Sequence, residues 1–198
     1  MQPISISLLT ICGLEELGHH SDRAVTHVLS IIDPDCPDPE AFHAYDSHHR
    51  TIVRFHDVIE PFLGYVMPEP GHVEAILAFG ESLRRDAAGR DEGHLLVHCH
   101  AGISRSTAAM AMLLAQTYPD RDEDHIFERL VAIRPQAWPN SRMIGYADRL
   151  LARKGRLNAA LARFYARQLA VRPDLDETMR RHGRAREVEM ARLSRSAA

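Results

Sequence analysis

His94-Leu95-Leu96-Val97-His98-Cys99-His100-Ala101-Gly102-Ile103-Ser104-Arg105-Ser106, continued by Thr107-Ala108-Ala109-Met110-Ala111-Met112-Leu113-Leu114-Ala115-Gln116-Thr117, is the stretch that decides the fold. Its first five residues are short with a continuously apolar centre, which is the pattern of a strand buried on both faces of a parallel sheet. Thr107–Thr117 contains no charged residue, so it predicts a helix lying buried against that sheet. Between strand and helix runs a polar loop, Cys99–Ser106. The unit is therefore strand, loop, buried helix, with the loop at the carboxyl end of a central strand. Ligands of open α/β sheets bind at that edge.

The upstream sequence supplies the rest of a sheet. Ile4–Ile11, Thr26–Ile32 and Arg50–His56 are rich in β-branched and aliphatic residues and predict three further strands. The second is stopped by Asp33-Pro34 and a Pro/Asp cluster through Pro39, which predicts a turn that includes Asp35. Gly13–His20 predicts a short helical or turn segment. Pro61–Pro70 predicts a loop, and Gly71–Asp86 an amphipathic helix with apolar residues at helical spacing. Downstream, Asp122–Ile133 and Asn140–Ala152 predict helices, and Lys154–Ala198 a helical, Arg-rich remainder punctuated by Gly155 and Pro173. Strands and helices alternate early, and helices dominate later. This is an α/β pattern: a central, mostly parallel sheet of about four to five strands flanked by helices and covered on both faces. The expected division is a main domain at 1–152 and a helical extension at 153–198.

Composition narrows the function classes. The 198 residues carry a formal net charge of −3, which gives no bias toward nucleic acid. No stretch reaches membrane-spanning length, and the opening MQPISISLLTICG lacks the basic start of a signal peptide. Cys12, Cys36 and Cys99 are odd in number and match no zinc framework, so a reduced, cytoplasmic protein is expected. The pairs His19-His20 and His48-His49 read as surface or turn residues, and no metal or other cofactor is expected. The segment from Leu151 onward holds twelve basic and five acidic side chains, so the rest of the chain carries −10. A helical pair packed on the domain with a solvated basic face is the simplest expectation for that segment.

The loop has the parts of an anion cradle. Successive backbone N–H groups can turn inward, and the following helix adds free N–H groups and the positive end of its dipole. Gly102 permits a backbone conformation that a Cβ penalises. The guanidinium of Arg105 can clamp two oxygens of a bound phosphate. Cys99 sits at the base of this positive field, where the thiolate is favoured and is placed for in-line attack. The product would be a phosphocysteine, later hydrolysed, with Ser106 donating a hydrogen bond to the departing sulfur.

Cys99 and Arg105, with five residues between them that include Ala101-Gly102, match the signature loop of the protein-tyrosine-phosphatase superfamily. The fuller string HCHAGISRST resembles its dual-specificity branch, as in small bacterial tyrosine phosphatases. Arg134-Pro135 followed by Pro139-Asn140 resembles a second motif of that branch. The similarity spans roughly Ile4 to Leu151. The low-molecular-weight branch carries its loop at the extreme N-terminus, whereas this loop is central.

The resemblance implies a phosphate-binding loop of His100, Ala101, Gly102, Ile103, Ser104 and Arg105. It also implies a supporting role for His98, which hydrogen-bonds the loop in that family, and a general acid from a neighbouring loop. Asp57, following the strand that ends Arg54-Phe55-His56, is the candidate acid, with a longer spacing to the cysteine than the branch usually has. Asp46 is held in reserve. The expected activity is hydrolysis of phosphotyrosine, with phosphoserine or phosphothreonine as further substrates. The alternatives are a phosphatase for an inositol phosphate or lipid, and an inactive module that captures phosphorylated partners. The loop lacks the extra Lys typical of lipid phosphatases, and Cys99 and Arg105 are both present. A rhodanese-like transferase also uses a loop cysteine but lacks the Gly-Ile-Ser-Arg-Ser-Thr continuation. The expected partner is a phosphorylated protein or small phosphate ester. The oligomeric state is not legible.

Overall fold

The structure is a computed structural model that describes residues 8–86 and 93–196. Four parallel strands form one sheet in the order β1-β4-β2-β3. They are β1 (Leu8–Cys12), β2 (His27–Ile32), β3 (His49–Arg54) and β4 (His94–His98). The start of the first expected strand, 4–7, lies outside the described residues. The two central strands are buried at every position, whereas β1 and β3 alternate or open at the edges. That difference explains why Leu95-Leu96-Val97 and Val28-Leu29 are apolar runs while His49–Arg54 carries two arginines.

The loop ends of all four strands point the same way, because each pairing is parallel. Cys12 registers with His98, and Ile32 with Arg54. Gly13, Asp33, Phe55 and Cys99 therefore emerge along a single edge, and the site is built there.

Among the described residues seven helices follow or separate the strands: α1 (Pro70–Asp86), α2 (Arg105–Thr117), α3 (Glu123–Ile133), α4 (Ser141–Leu150), α5 (Arg156–Val171), α6 (Leu175–Arg181) and α7 (Ala185–Ser196). Helix α2, uncharged after Arg105, lies at the centre of the helical layer, with every residue from Arg105 to Ala115 buried. The covering of the sheet is uneven. The helices share one large core with Leu29, Ile31, Leu95 and Val97 on one face. On the other face two 3-10 turns, Leu14–His20 and Glu40–Ala44, press Leu17 and Phe42 onto Val28 and Leu96. The polar spacing of both segments allowed only one buried anchor each, which suits a single turn rather than a helix.

The C-terminal segment differs from a pair of helices with a solvated basic face. It forms three helices, and α5 contributes Leu157, Leu161, Phe164 and Tyr165 to the same core as the sheet. Phe164 stacks on Phe127 at 5.3 Å, and Tyr165 on Trp138 at 4.3 Å. Arg153 is buried and donates to the carbonyl of Ala115 in the last turn of α2 and to those of Tyr118 and Pro119 just beyond it. Asp148 accepts from the N–H groups of Gly155, Leu157 and Asn158, capping α5 where its own N-cap glycine cannot. Basic side chains of the segment pair with acids of the body: Arg163 and Arg167 with Asp124, Arg156 with Glu123, and Arg186 with Glu60. The opposed charges of the two parts are thus largely matched across their contact. No helix among the described residues is long and apolar enough to cross a membrane.

Candidate active site

The loop from Cys99 to Arg105 is held from outside through its carbonyls. The carbonyl of His100 accepts from Leu14 N–H at 2.9 Å, and that of Ala101 from the Arg134 guanidinium at 3.2 Å. The carbonyl of Gly102 accepts from Arg134 Nε at 3.0 Å, that of Ile103 from Trp138 N–H at 2.8 Å, and that of Ser104 from Asn140 N–H at 3.3 Å. Five successive carbonyls are therefore tethered, and the N–H groups on the other side of those peptide units, residues 101–105, donate to no backbone carbonyl. A peptide unit points its two ends in opposite directions. Drawing the carbonyls outward leaves a concave row of N–H donors above Cys99. Arg134 is fixed for this work by a two-pronged ion pair with Glu16 at 2.9 and 2.7 Å. The motif Arg134-Pro135 and Pro139-Asn140 is thus the outer brace of the loop.

Gly102 is required twice over. Its φ is +67°, and a Cβ there would lie 2.5 Å from the carbonyl carbon of Cys12 and 2.7 Å from Gly13 N. The loop rests directly on the backbone leaving β1. Gly13 is equally constrained from the other side, since its Cβ would meet the His100 carbonyl oxygen at 2.8 Å.

Cys99 is buried, with its Sγ 3.1 Å from Ser106 Oγ at the first turn of α2. Arg105 is also buried, and one of its nitrogens donates to Asp33 Oδ1 and to the Phe55 carbonyl, each at 2.5 Å. Its Nε has no partner in the protein. Asp33 was read only as part of a turn. The turn is real, but β2 ends beside β4, and this delivers the Asp33 carboxylate to the guanidinium. His100 stands on the same carboxylate, with Nδ1 3.7 Å from Asp33 Oδ2. Burial and the nearby Arg105 cation hold the His100 imidazole below its usual range. Asp35 is exposed, and Asp46 is exposed ahead of β3, at the opposite sheet edge from Cys99. Asp46 therefore lies away from the site.

His98 sits fully buried in β4, and its Nε2 pairs with Ser30 Oγ at 2.7 Å. Ser30 in turn accepts from Arg50 Nε at 2.9 Å. The hydrogen bond of His98 thus runs across the sheet, and burial lowers its pKa to about 4, so the ring is neutral at pH 7. The thiol of Cys12 is pushed up to about 12 by burial, with Glu16 adding to the effect. Cys12, Cys36 and Cys99 are all free.

Asp57 follows β3 and reaches the same pocket as Cys99. Its Oδ1 accepts three hydrogen bonds, from Ser104 Oγ at 2.8 Å, Asn140 Nδ2 at 2.9 Å and Arg184 at 2.9 Å. About a third of the side chain, 32 %, stays open. Burial raises its pKa, but the cations of Arg184 and Arg105 and the two neutral donors outweigh this and hold it below the usual carboxylate range. Asn140 is doubly used, since its Oδ1 caps α4 by accepting from the N–H groups of Arg142 and Met143. The pocket, about 400 Å³, has the loop as its floor and Trp138, Met179, His182 and Arg184 among its walls. Arg184 and α6 were not identified from sequence as parts of this site. The only signal was the basic surplus of the C-terminal segment facing an acidic body, and that did not single out any one arginine.

No protein-family model and no curated protein sequence matches this chain. Solved structures do match. DUSP15 aligns with a TM-score of 0.55 at 23% identity, covering 79% of this chain and 92% of that one. Human DUSP28 aligns with a TM-score of 0.52 at 22% identity, covering 73% and 94%. The PTP-2 phosphatase of Cydia pomonella aligns with a TM-score of 0.53 at 19% identity, covering 71% and 84%. The parallel sheet, the cysteine loop at its edge and these alignments agree: the chain has the protein-tyrosine-phosphatase fold in the form seen in the dual-specificity phosphatases.

Proposed function

We propose that this protein is a cysteine-dependent phosphomonoester hydrolase acting on phosphotyrosine, through a phosphocysteine intermediate. The observation that carries the reading is the row of N–H groups of residues 101–105, turned inward over Cys99 by the outward tethering of the five carbonyls of residues 100–104. Such a row, with a buried arginine at its end, suits a tetrahedral oxyanion and little else. In this reading the loop N–H groups and Arg105 hold three non-bridging phosphate oxygens, and Asp33 fixes the guanidinium in the plane that this requires.

The Cys99 thiolate then attacks phosphorus in line. The S–P bond forms as the ester P–O bond breaks, and protonated Asp57 gives its proton to the departing phenolic oxygen. In the second half, water attacks the phosphocysteine and Asp57 takes back a proton. The S–P bond breaks, with Ser106 Oγ, 3.1 Å from the sulfur, donating to the thiolate as it leaves. Inorganic phosphate and the free enzyme result. An aromatic ring fits between the largely apolar walls supplied by Ile103, Trp138 and Met179. The enzyme would work in a reducing, cytoplasmic setting, where Cys99 stays a thiol.

The test is hydrolysis of p-nitrophenyl phosphate and of matched phosphotyrosine and phosphothreonine peptides under reducing conditions. The reading expects turnover that Cys99→Ser abolishes, with the phosphotyrosine peptide preferred. A folded wild type that binds these compounds without turning them over would instead make the site a phosphate-capturing module.

A further inference from the structure

Arg184 lies in the three-residue turn between α6 and α7, 127 positions along the chain from Asp57, and yet its side chain is buried in the pocket wall. The turn is fixed by Gly183 at φ +71° and by Arg184 N–H donating to the Met179 carbonyl at 2.8 Å. The guanidinium is used on all sides. Nε and Nη2 pair with the two oxygens of Glu187 at 2.9 and 3.0 Å, Nη1 donates to Asp57 Oδ1 at 2.9 Å, and Nη2 donates to Ser104 Oγ at 2.9 Å. Glu187 is itself fully satisfied, accepting also from Trp138 Nε1 at 2.6 Å and Ser141 N–H at 2.8 Å.

An arginine needed only to neutralise Glu187, which itself ties α7 to Trp138 and Ser141, would be complete with that bidentate pair. Here the remaining edge is spent on the two residues that join the general-acid loop to the phosphate loop. Ser104 Oγ and Arg184 both donate to the same oxygen of Asp57, and Arg184 also donates to Ser104. The three side chains form a closed ring. That geometry fixes Oδ1 and leaves Oδ2 as the oxygen available to carry a proton. We propose that Arg184 is a positioning residue of the active site, holding Asp57 in register with the phosphate loop so that it can protonate the leaving group. The proposal rests on the phosphatase reading above. It makes the C-terminal helices part of the catalytic apparatus rather than an appendage, since Arg184 adds a cationic contact to those that Ser104 and Asn140 make with Asp57.

The test uses the full chain and a series of aryl phosphates running from dinitrophenyl phosphate, whose phenol leaves unaided, to phenyl phosphate, whose phenol needs a proton. Wild type, Asp57→Asn, Arg184→Met, Arg184→Lys and the double variant Asp57→Asn with Arg184→Met are compared by kcat/KM. If Arg184 acts through Asp57, Arg184→Met loses about 10²-fold on phenyl phosphate, the size expected for a general acid displaced by about 1 Å, and far less on dinitrophenyl phosphate. The double variant then loses no more than Asp57→Asn alone. Arg184→Lys keeps a cation against Glu187, and so keeps the fold where the methionine variant melts. It cannot span three partners, so it shows the same leaving-group dependence in milder form. A loss equal across the series, or one that adds to that of Asp57→Asn, overturns the positioning role and leaves the phosphatase reading standing. A wild type inactive on every ester removes both.

Discussion

Gly102→Ala tests the architecture of the loop most severely. The substitution adds one methyl group at a residue with φ +67°, a conformation that costs an L-residue about 1–2 kcal/mol. The added carbon would also lie 2.5–2.8 Å from the backbone of Cys12 and Gly13. Backbone cannot rotate away as a side chain would, so loop and strand end must separate, at a further cost of about 1–3 kcal/mol. The expected destabilisation is therefore about 3 kcal/mol by urea unfolding. The displaced N–H row should lower kcat/KM toward p-nitrophenyl phosphate by about 10²-fold. Two other glycines separate the contributions. Gly64 has φ +82° with nothing within 4 Å of the added carbon, so Gly64→Ala carries the conformational cost alone, about 1–2 kcal/mol. Gly71 lies in the first turn of α1 with open space around it, so Gly71→Ala is neutral or stabilising by up to about 1 kcal/mol. The refuting result is a Gly102→Ala variant no less stable than Gly64→Ala and fully active. The loop would then not rest on β1 as described.

Three other outcomes follow from the same geometry. Asp57→Asn should lower kcat by about 10²–10⁴-fold and abolish the alkaline limb of the rate profile. In the wild type that limb falls on the acidic side of neutrality, because the acid must be protonated and Arg184 and Arg105 hold Asp57 below the usual carboxylate range. His98 titrates at about 4 when folded, against an ordinary 6.5. The unfolded chain therefore takes up a proton first as the pH falls. Stability from this residue is whole above pH 6.5 and is lost by about 3 kcal/mol on approaching pH 4, a slope that His98→Gln should remove in pH-dependent urea melts. Glu187→Ala strips Arg184 of its bidentate partner inside the protein, and calorimetry should show a loss of about 3 kcal/mol, at the low end for a broken buried pair because Asp57 remains.

What could be read from the sequence was whatever is local along the chain. The uncharged run Thr107–Thr117 and the apolar centre of His94–His98 dictate a buried helix after a buried strand. The cysteine, glycine and arginine between them need no distant residue to be recognised as an anion loop. Asp57 reaches the loop edge because it comes soon after a strand of the same parallel sheet, and that much is local. The contacts of Asp33 and Arg184 were not legible for a shared reason. Asp33-Pro34 is a genuine turn signal, and nothing local says that β2 will lie beside β4 and bring that carboxylate to Arg105. Arg184 is one of twelve basic residues in a segment whose charge reads as a solvated face. Its burial depends on Gly183 turning the chain, and on Glu187, Trp138 and Asp57 arriving from three other elements. The uneven covering of the sheet was hidden likewise, since Leu17 and Phe42 are the single buried anchors of short, polar segments with too few apolar residues to set a helical period.

The central claim is that Cys99 becomes covalently phosphorylated. The most direct measurement is intact-mass and peptide-level spectrometry of the enzyme quenched in acid during turnover of a phosphotyrosine peptide. Asp57→Asn would be run in parallel, to slow hydrolysis of the intermediate. The account predicts a phosphoryl adduct located on Cys99, enriched in Asp57→Asn and absent from Cys99→Ser. Turnover by wild type with no adduct on Cys99 in either active form, or undiminished turnover by Cys99→Ser, would contradict it.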